Sequence, residues 1–201
     1  MNGISLTLSV YSSNLKSLKS IYLDSISVQK TKIDEYLKVL KNSSWSEEEF
    51  EGYSHYENHF EWLLLQALFV SGFSYFENFM KSIARQVEKE KNHNIKIKDL
   101  KGDGLIDVYR KYLFLIGEYK IASSDRTEWK NINDFKKIRN AIIHDYGKIN
   151  TNFEIIEKYK LAIGPSKKMI RIRDVEFLDD FILTATNYME KIASEINSYS
   201  N

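Results

Sequence analysis

The chain has 201 residues, with 29 Lys/Arg against 28 Asp/Glu, four His and no Cys. That length supports one domain with a substantial core, and the missing cysteines exclude disulfides and thiolate metal sites. A net charge of +1 argues against a wholesale polyanion binder, and one Pro with eight Gly leaves few breaks in what should be a largely helical chain.

Residues 1–5 show neither a basic n-region nor an apolar h-region, so no secretion signal is expected. Ile4, Leu6, Leu8 and Val10 alternate, which fits either a short strand or the frayed start of a helix. From Asn14 to about Lys41, Leu15, Leu18, Ile21, Tyr22, Ile26, Ile33, Tyr36, Leu37 and Leu40 recur at three- and four-residue steps and predict an amphipathic helix. Residues 1–45 thus form an N-terminal helical extension on a core of residues 46–201, within a single domain. Ser46-Glu47-Glu48-Glu49 is a capping-box start whose acids favour the positive end of the helix dipole. The helix it opens is expected to run, with a kink near Gly52, to about Lys89. Its middle, Phe60 to Phe79, is apolar nearly all round, as in the central helix of a core. The most apolar run, Trp62 to Val70, falls well short of the ~20 residues a membrane span needs, and a soluble cytoplasmic protein with no membrane contact is expected.

Asn92 to Gly104 predicts a basic loop with a turn at Gly102-Asp103-Gly104, and Leu105 to about Gly117 a shorter helix. Thr127 to about Tyr146 predicts another, with Trp129, Ile132, Phe135, Ile138 and Ile142 buried and Gly147 just past its end. Two short alternating runs, Leu161/Ile163 and Ile170/Ile172, flank Gly164-Pro165-Ser166 as in a β-hairpin. Asp174 can cap a last helix from Val175 to about Ser198, with Phe177, Phe181, Ile182, Ala185, Met189, Ile192 and Ile196 inward. The predicted fold is all-α: an up-and-down bundle of about five helices, with a small β-hairpin before the last.

Charge is unevenly placed. Ser46 to Met80 holds seven Glu and no Lys or Arg, whereas Arg126 to Arg173 holds twelve Lys/Arg against five Asp/Glu. Within the basic segment lies Arg139-Asn140-Ala141-Ile142-Ile143-His144-Asp145-Tyr146-Gly147. Arginine grips phosphate in a fixed fork, and histidine exchanges a proton near neutral pH. RNA cleavage needs a base for the ribose 2′-hydroxyl, charge stabilisation on the phosphorane and an acid for the leaving 5′-oxygen; His144 and Arg139 are of the right types, Asn140 can orient either, and no metal or organic cofactor is called for. On an ideal helix Asn140 and His144 lie about 40° apart but Arg139 and His144 about 140°. One helix therefore does not by itself assemble a tight Arg–His pair, and two motif helices around a two-fold axis would supply a shared cleft. The same histidine also fits a purely structural role at the negative end of a helix dipole. Lys136, Lys137, Lys148, Lys167, Lys168, Arg171 and Arg173 are candidates for a phosphate-contacting rim, and Tyr146 for stacking on a base. His55 and His59 share a helix face with Glu51, a spacing that fits a solvated face better than a metal site, and no metal is expected.

The nine-residue motif resembles the signature of the HEPN family (higher eukaryotes and prokaryotes nucleotide-binding): arginine, four to six residues with a polar one first, then histidine. Trp129 and Ile132 ahead of it, and the aromatic run Phe73-Ser74-Tyr75-Phe76-Glu77-Asn78-Phe79 on an earlier helix, resemble the family's context over roughly residues 60–195. The resemblance implies a helical bundle that dimerises through the motif helix, and a metal-independent endoribonuclease acting as a toxin or phage-defence effector, held in some cases by an antitoxin or other partner protein. It implies Arg139 and His144 as catalytic, Asn140 as their polar auxiliary and Glu77 as a further auxiliary. The alternative from another class is a non-catalytic helical module that binds nucleotide, nucleic acid or a protein partner on the same face.

Overall fold

A computed structural model describes residues 3–42, 45–145, 147–148, 153–164 and 169–199. The elements in chain order are α1 (Gly3–Asn42), α2 (Glu47–Asn58), α3 (Phe60–Lys91), α4 (Leu105–Leu115), α5 (Thr127–His144), α6 (Phe153–Lys158), β1 (Ala162–Ile163), β2 (Ile170–Arg171) and α7 (Val175–Tyr199). Short 3₁₀ turns at Ile97–Asp99 and Lys120–Ala122 flank α4. The fold is an all-α bundle with a small antiparallel hairpin, Ala162 opposite Arg171 and Ile163 opposite Ile170, before the last helix. Among the described residues no helix is long and apolar enough to cross a membrane.

The alternating start resolves as helix. Ile4 and Leu15 are buried and Leu8 and Tyr11 half-buried against the core, one stripe at helical spacing, while Leu6 and Val10 point to solvent. The first half of α1 lies across α3 and α7. Beyond Tyr22 most of its side chains are exposed, and that half pairs with α2. The capping box at Ser46 forms as predicted: Glu49 N–H donates to Ser46 Oγ at 3.3 Å, and Ser46 N–H to Glu49 Oε2 at 2.8 Å. The expected kink at Gly52 does not occur. Gly52 sits mid-helix because the Tyr36 ring of α1 fills the space a Cβ would take. The break falls at His59 instead, where φ −123° and ψ −35° leave helical geometry for one residue. There α2, which buries none of its residues, gives way to α3, which buries eleven. The short helix α6 carries too few residues for a periodic signal, and nothing in its sequence predicted it.

The core centres on Phe69 and Phe73 of α3, Phe135 of α5 and Phe177 and Phe181 of α7, with neighbouring rings 5.0–6.4 Å apart and mostly edge to face. Three helices approach closely at Gly72, where a Cβ would lie 2.8 Å from both Leu18 Cδ1 and Phe181 Cε1. Both neighbours are themselves buried and cannot swing aside. Gly72→Ala gains about 1 kcal/mol of helix propensity but overpacks a dense site at a cost of about 1–3 kcal/mol. Urea unfolding is expected to show a net loss that deepens in Gly72→Val; a variant more stable than the parent would contradict this packing.

Candidate functional site

The end of α5 determines what the motif can do. The helix stops at His144, and Gly147, at φ 81°, folds its N–H back onto Ala141 O at 2.7 Å. Glycine tolerates that positive φ where other residues resist it. Ile170 N–H then donates to Gly147 O at 2.8 Å and Lys148 bridges Met169, tying the motif's exit to the hairpin.

A pocket of about 250 Å³ lies against the last turns of α5. Lys136, Arg139, Asn140 and His144 form one wall, Phe73 and Glu77 of α3 another, and Gly104 to Ile106 at the start of α4 the third. Arg139 Nη1 donates to Asn140 Oδ1 at 3.1 Å and lies 3.5 Å from His144 Nε2. The 140° separation on an ideal helix is thus spanned within one chain, because the arginine is long and the histidine stands where the helix ends. A guanidinium only donates, so in this contact Nε2 presents its lone pair. Arg139 Nε is sealed from solvent without a hydrogen-bond partner among the described residues. Glu77 faces the same pocket but forms no ion pair with Arg139, which leaves the guanidinium fork available to a ligand.

The cations expected to flank the motif are distributed unequally. Lys136 lines the pocket but is only 8% exposed. Its Nζ pairs with the Asp103 carboxylate at 2.6 Å and with the Asp103 carbonyl. Lys137 is exposed, 3.8 Å from Asp134 and outside the pocket lining. Lys148 is exposed beside the hairpin. Tyr146, Lys167 and Lys168 lie outside the described residues. His55 and His59 make ring contacts, His55 with Tyr56 and Phe60 and His59 with Trp62. Among the described residues no three His, Asp or Glu side chains gather as a ligand set.

Asp103 is the residue the sequence pattern missed. The Gly102-Asp103-Gly104 turn was legible as a turn, but nothing local says that it folds against α5, 33 positions away. Asp103 N–H in turn donates to Asp107 Oδ2 at 3.0 Å, so α4 anchors the loop that holds Lys136 at the pocket's edge. The pocket therefore offers one permanent cation with spare donors, one imidazole, one amide and one carboxylate, a set that can bind a phosphodiester and move a proton. Comparison with protein-family models, with characterised proteins and with solved structures gives no match to this chain.

Proposed function

We propose that the protein is a metal-independent endoribonuclease of the HEPN type. The observation that carries the reading is the Arg139–His144 contact inside a pocket, with a guanidinium nitrogen left stranded. Arg139 has no ion-pair partner among the described residues, so its outer guanidinium nitrogens can donate to a phosphate that enters the pocket. In the proposed reaction Arg139 holds the non-bridging oxygens of the scissile phosphate. His144 Nε2 turns from Arg139 to the ribose 2′-hydroxyl and takes its proton. The 2′-oxygen attacks phosphorus, the P–O5′ bond breaks, and the products are a 2′,3′-cyclic phosphate and a 5′-hydroxyl end. Asn140 fixes the guanidinium through its side-chain carbonyl, and Glu77 orients the hydroxyls at the α3 wall.

The leaving 5′-oxygen needs a proton, and one pocket holds one imidazole. A second copy of the chain, packed two-fold about the motif helices, would supply its own histidine as the acid. The dimer is thus invoked for the acid rather than to assemble the Arg–His pair. An activity of this kind is harmful to the cell that makes it, which favours a role as toxin or phage-defence effector with an antitoxin or other partner protein to hold it.

Incubating the purified protein with structured and unstructured RNA in excess EDTA tests the reading. Cleavage that persists in EDTA and leaves cyclic-phosphate ends is the expected result. Failure to cut any RNA, or loss of cutting in EDTA, would sink it.

A further inference from the structure

The bend at His59 leaves a second cleft, of about 360 Å³, between the α2–α3 corner and the hairpin. Glu57, His59, Glu61 and Trp62 line one side, and Arg171 and Arg173 the other. The Arg171 guanidinium lies over the Trp62 ring, 4.5 Å from its centroid. The indole is itself fixed by a hydrogen bond from Nε1 to Asn58 O at 3.1 Å. Trp62 thus holds the arginine rather than offering that face to a base. Arg171 Nε is sealed without a partner among the described residues. None of the ion pairs among those residues involves Arg171 or Arg173, although two carboxylates share the cleft. Glu61 is engaged elsewhere, accepting the Tyr22 hydroxyl at 2.5 Å. One guanidinium held over Trp62, a second arginine beside it and the Glu57 carboxylate suit a ligand that presents both acceptors and donors. A nucleotide unit has both: phosphate oxygens for the arginines, and a base amine or ribose hydroxyl for Glu57.

The cleft also adjoins the exit of the motif helix through the hairpin. Arg171 follows Ile170, whose N–H is bonded to Gly147 at the exit of the motif helix. We propose that the Arg171–Arg173 cleft binds a second nucleotide of the same RNA strand whose scissile phosphate occupies the Arg139–His144 pocket. This rests on the ribonuclease reading. It makes the substrate a single-stranded segment spanning several nucleotides, and it makes short fragments poor ligands.

Binding is measured on the His144→Ala protein, which leaves RNA intact, with and without Arg171→Gln and Arg173→Gln. The probes are a labelled single-stranded RNA of about ten nucleotides, within the ~4–16 span of single-strand sites, and a dinucleotide. The two substitutions should weaken the long probe at least tenfold and flatten its log K against log[salt] slope by about 1.4, two contacts at ~0.7 each. The dinucleotide should bind both proteins equally. An unchanged affinity and slope for the long probe overturns the proposal, as does equal loss for the dinucleotide. If the parent protein cuts no RNA but the slope still falls, the ribonuclease reading fails and the second site stands. If it cuts and the slope is unchanged, the reverse holds. Arg171→Lys keeps the charge without the planar stack on Trp62, so partial recovery by it is the result expected of a folded, phosphate-binding cleft.

Discussion

Arg139→Ala is expected to reduce RNA cleavage about 100- to 1000-fold, the cost of removing a preorganised charge stabiliser, and His144→Ala about 100- to 10,000-fold, the contribution of a positioned base. The double variant should be little worse than the poorer single one, because the two side chains, 3.5 Å apart, act as a unit. Stability gives an independent sign. Arg139 carries a sealed, unpartnered Nε, and stranding such a donor costs about 1–3 kcal/mol. Arg139→Met keeps the aliphatic packing and removes the stranded group. Its thermal midpoint should therefore hold or rise while cleavage is lost, the signature of a residue retained for function at the expense of stability. His144 is exposed at the helix end, so its replacement should cost no more than the ~0.3–1 kcal/mol of a dipole interaction. Cleavage by both variants at the parent rate would remove these residues from the reaction. A large loss of stability in His144→Ala would instead make the motif a structural helix end.

The parts of this site that were legible are those written locally. The Arg139–Asn140–His144 spacing, the apolar stripe of α5 and the capping box at Ser46 each follow from neighbours a turn apart. The stripe of α7 holds at the predicted positions, with Ile182 packed half-buried against the core, but Leu178, Tyr188 and Ala193, left out of the pattern, are buried as well. What escaped depends on partners distant in sequence. Gly52 invites a kink by composition, but Tyr36 on another helix occupies its Cβ space and α2 runs unbroken through it. Alternation over residues 4–10 fits a strand until α3 and α7 supply a surface for the Ile4–Leu8–Leu15 stripe. Arg139 and His144 diverge on a helical wheel, yet the wheel ignores both the length of an arginine and the freedom of a terminal residue. Lys136 reads as a surface lysine in the sequence, and only the fold of the 101–104 loop shows that Asp103 holds it.

That loop is governed by a buried pair on α4. Arg110, 5% exposed, donates from Nε and Nη2 to Asp107 Oδ1 at 2.9 and 2.8 Å. Its Nη1 reaches Ala122 O at 2.9 Å, and its guanidinium lies 5.1 Å from the Trp129 ring centroid at the start of the motif helix. The other carboxylate oxygen accepts Asp103 N–H and faces Lys111 at 3.2 Å. Asp107→Ala leaves the Arg110 charge buried and unpaired, a change that costs about 3–5 kcal/mol. It also releases the loop from which Asp103 grips Lys136. The variant should unfold at markedly lower denaturant and, where still folded, bind RNA less well than its unfolded fraction explains. Asp107→Asn retains the shape and an acceptor and should lose less. Acid acts through the same group. Burial pushes the Asp107 carboxyl up, but the hydrogen bonds from Arg110, Asp103 N–H and Lys111 outweigh it and leave it below the usual carboxylate range. A folded-state value below the unfolded one, about 3.9, means that its contribution is complete above that pH and disappears as the pH falls through the folded value. The Asp107 contribution should therefore be level from neutral pH down to about 4 and be lost below it, so that stability falls less steeply there in Asp107→Asn than in the parent. The same fall in parent and variant would place the acid sensitivity elsewhere, while parent-like stability in Asp107→Ala would show that Arg110 finds another partner and that the pocket's third wall does not depend on this pair.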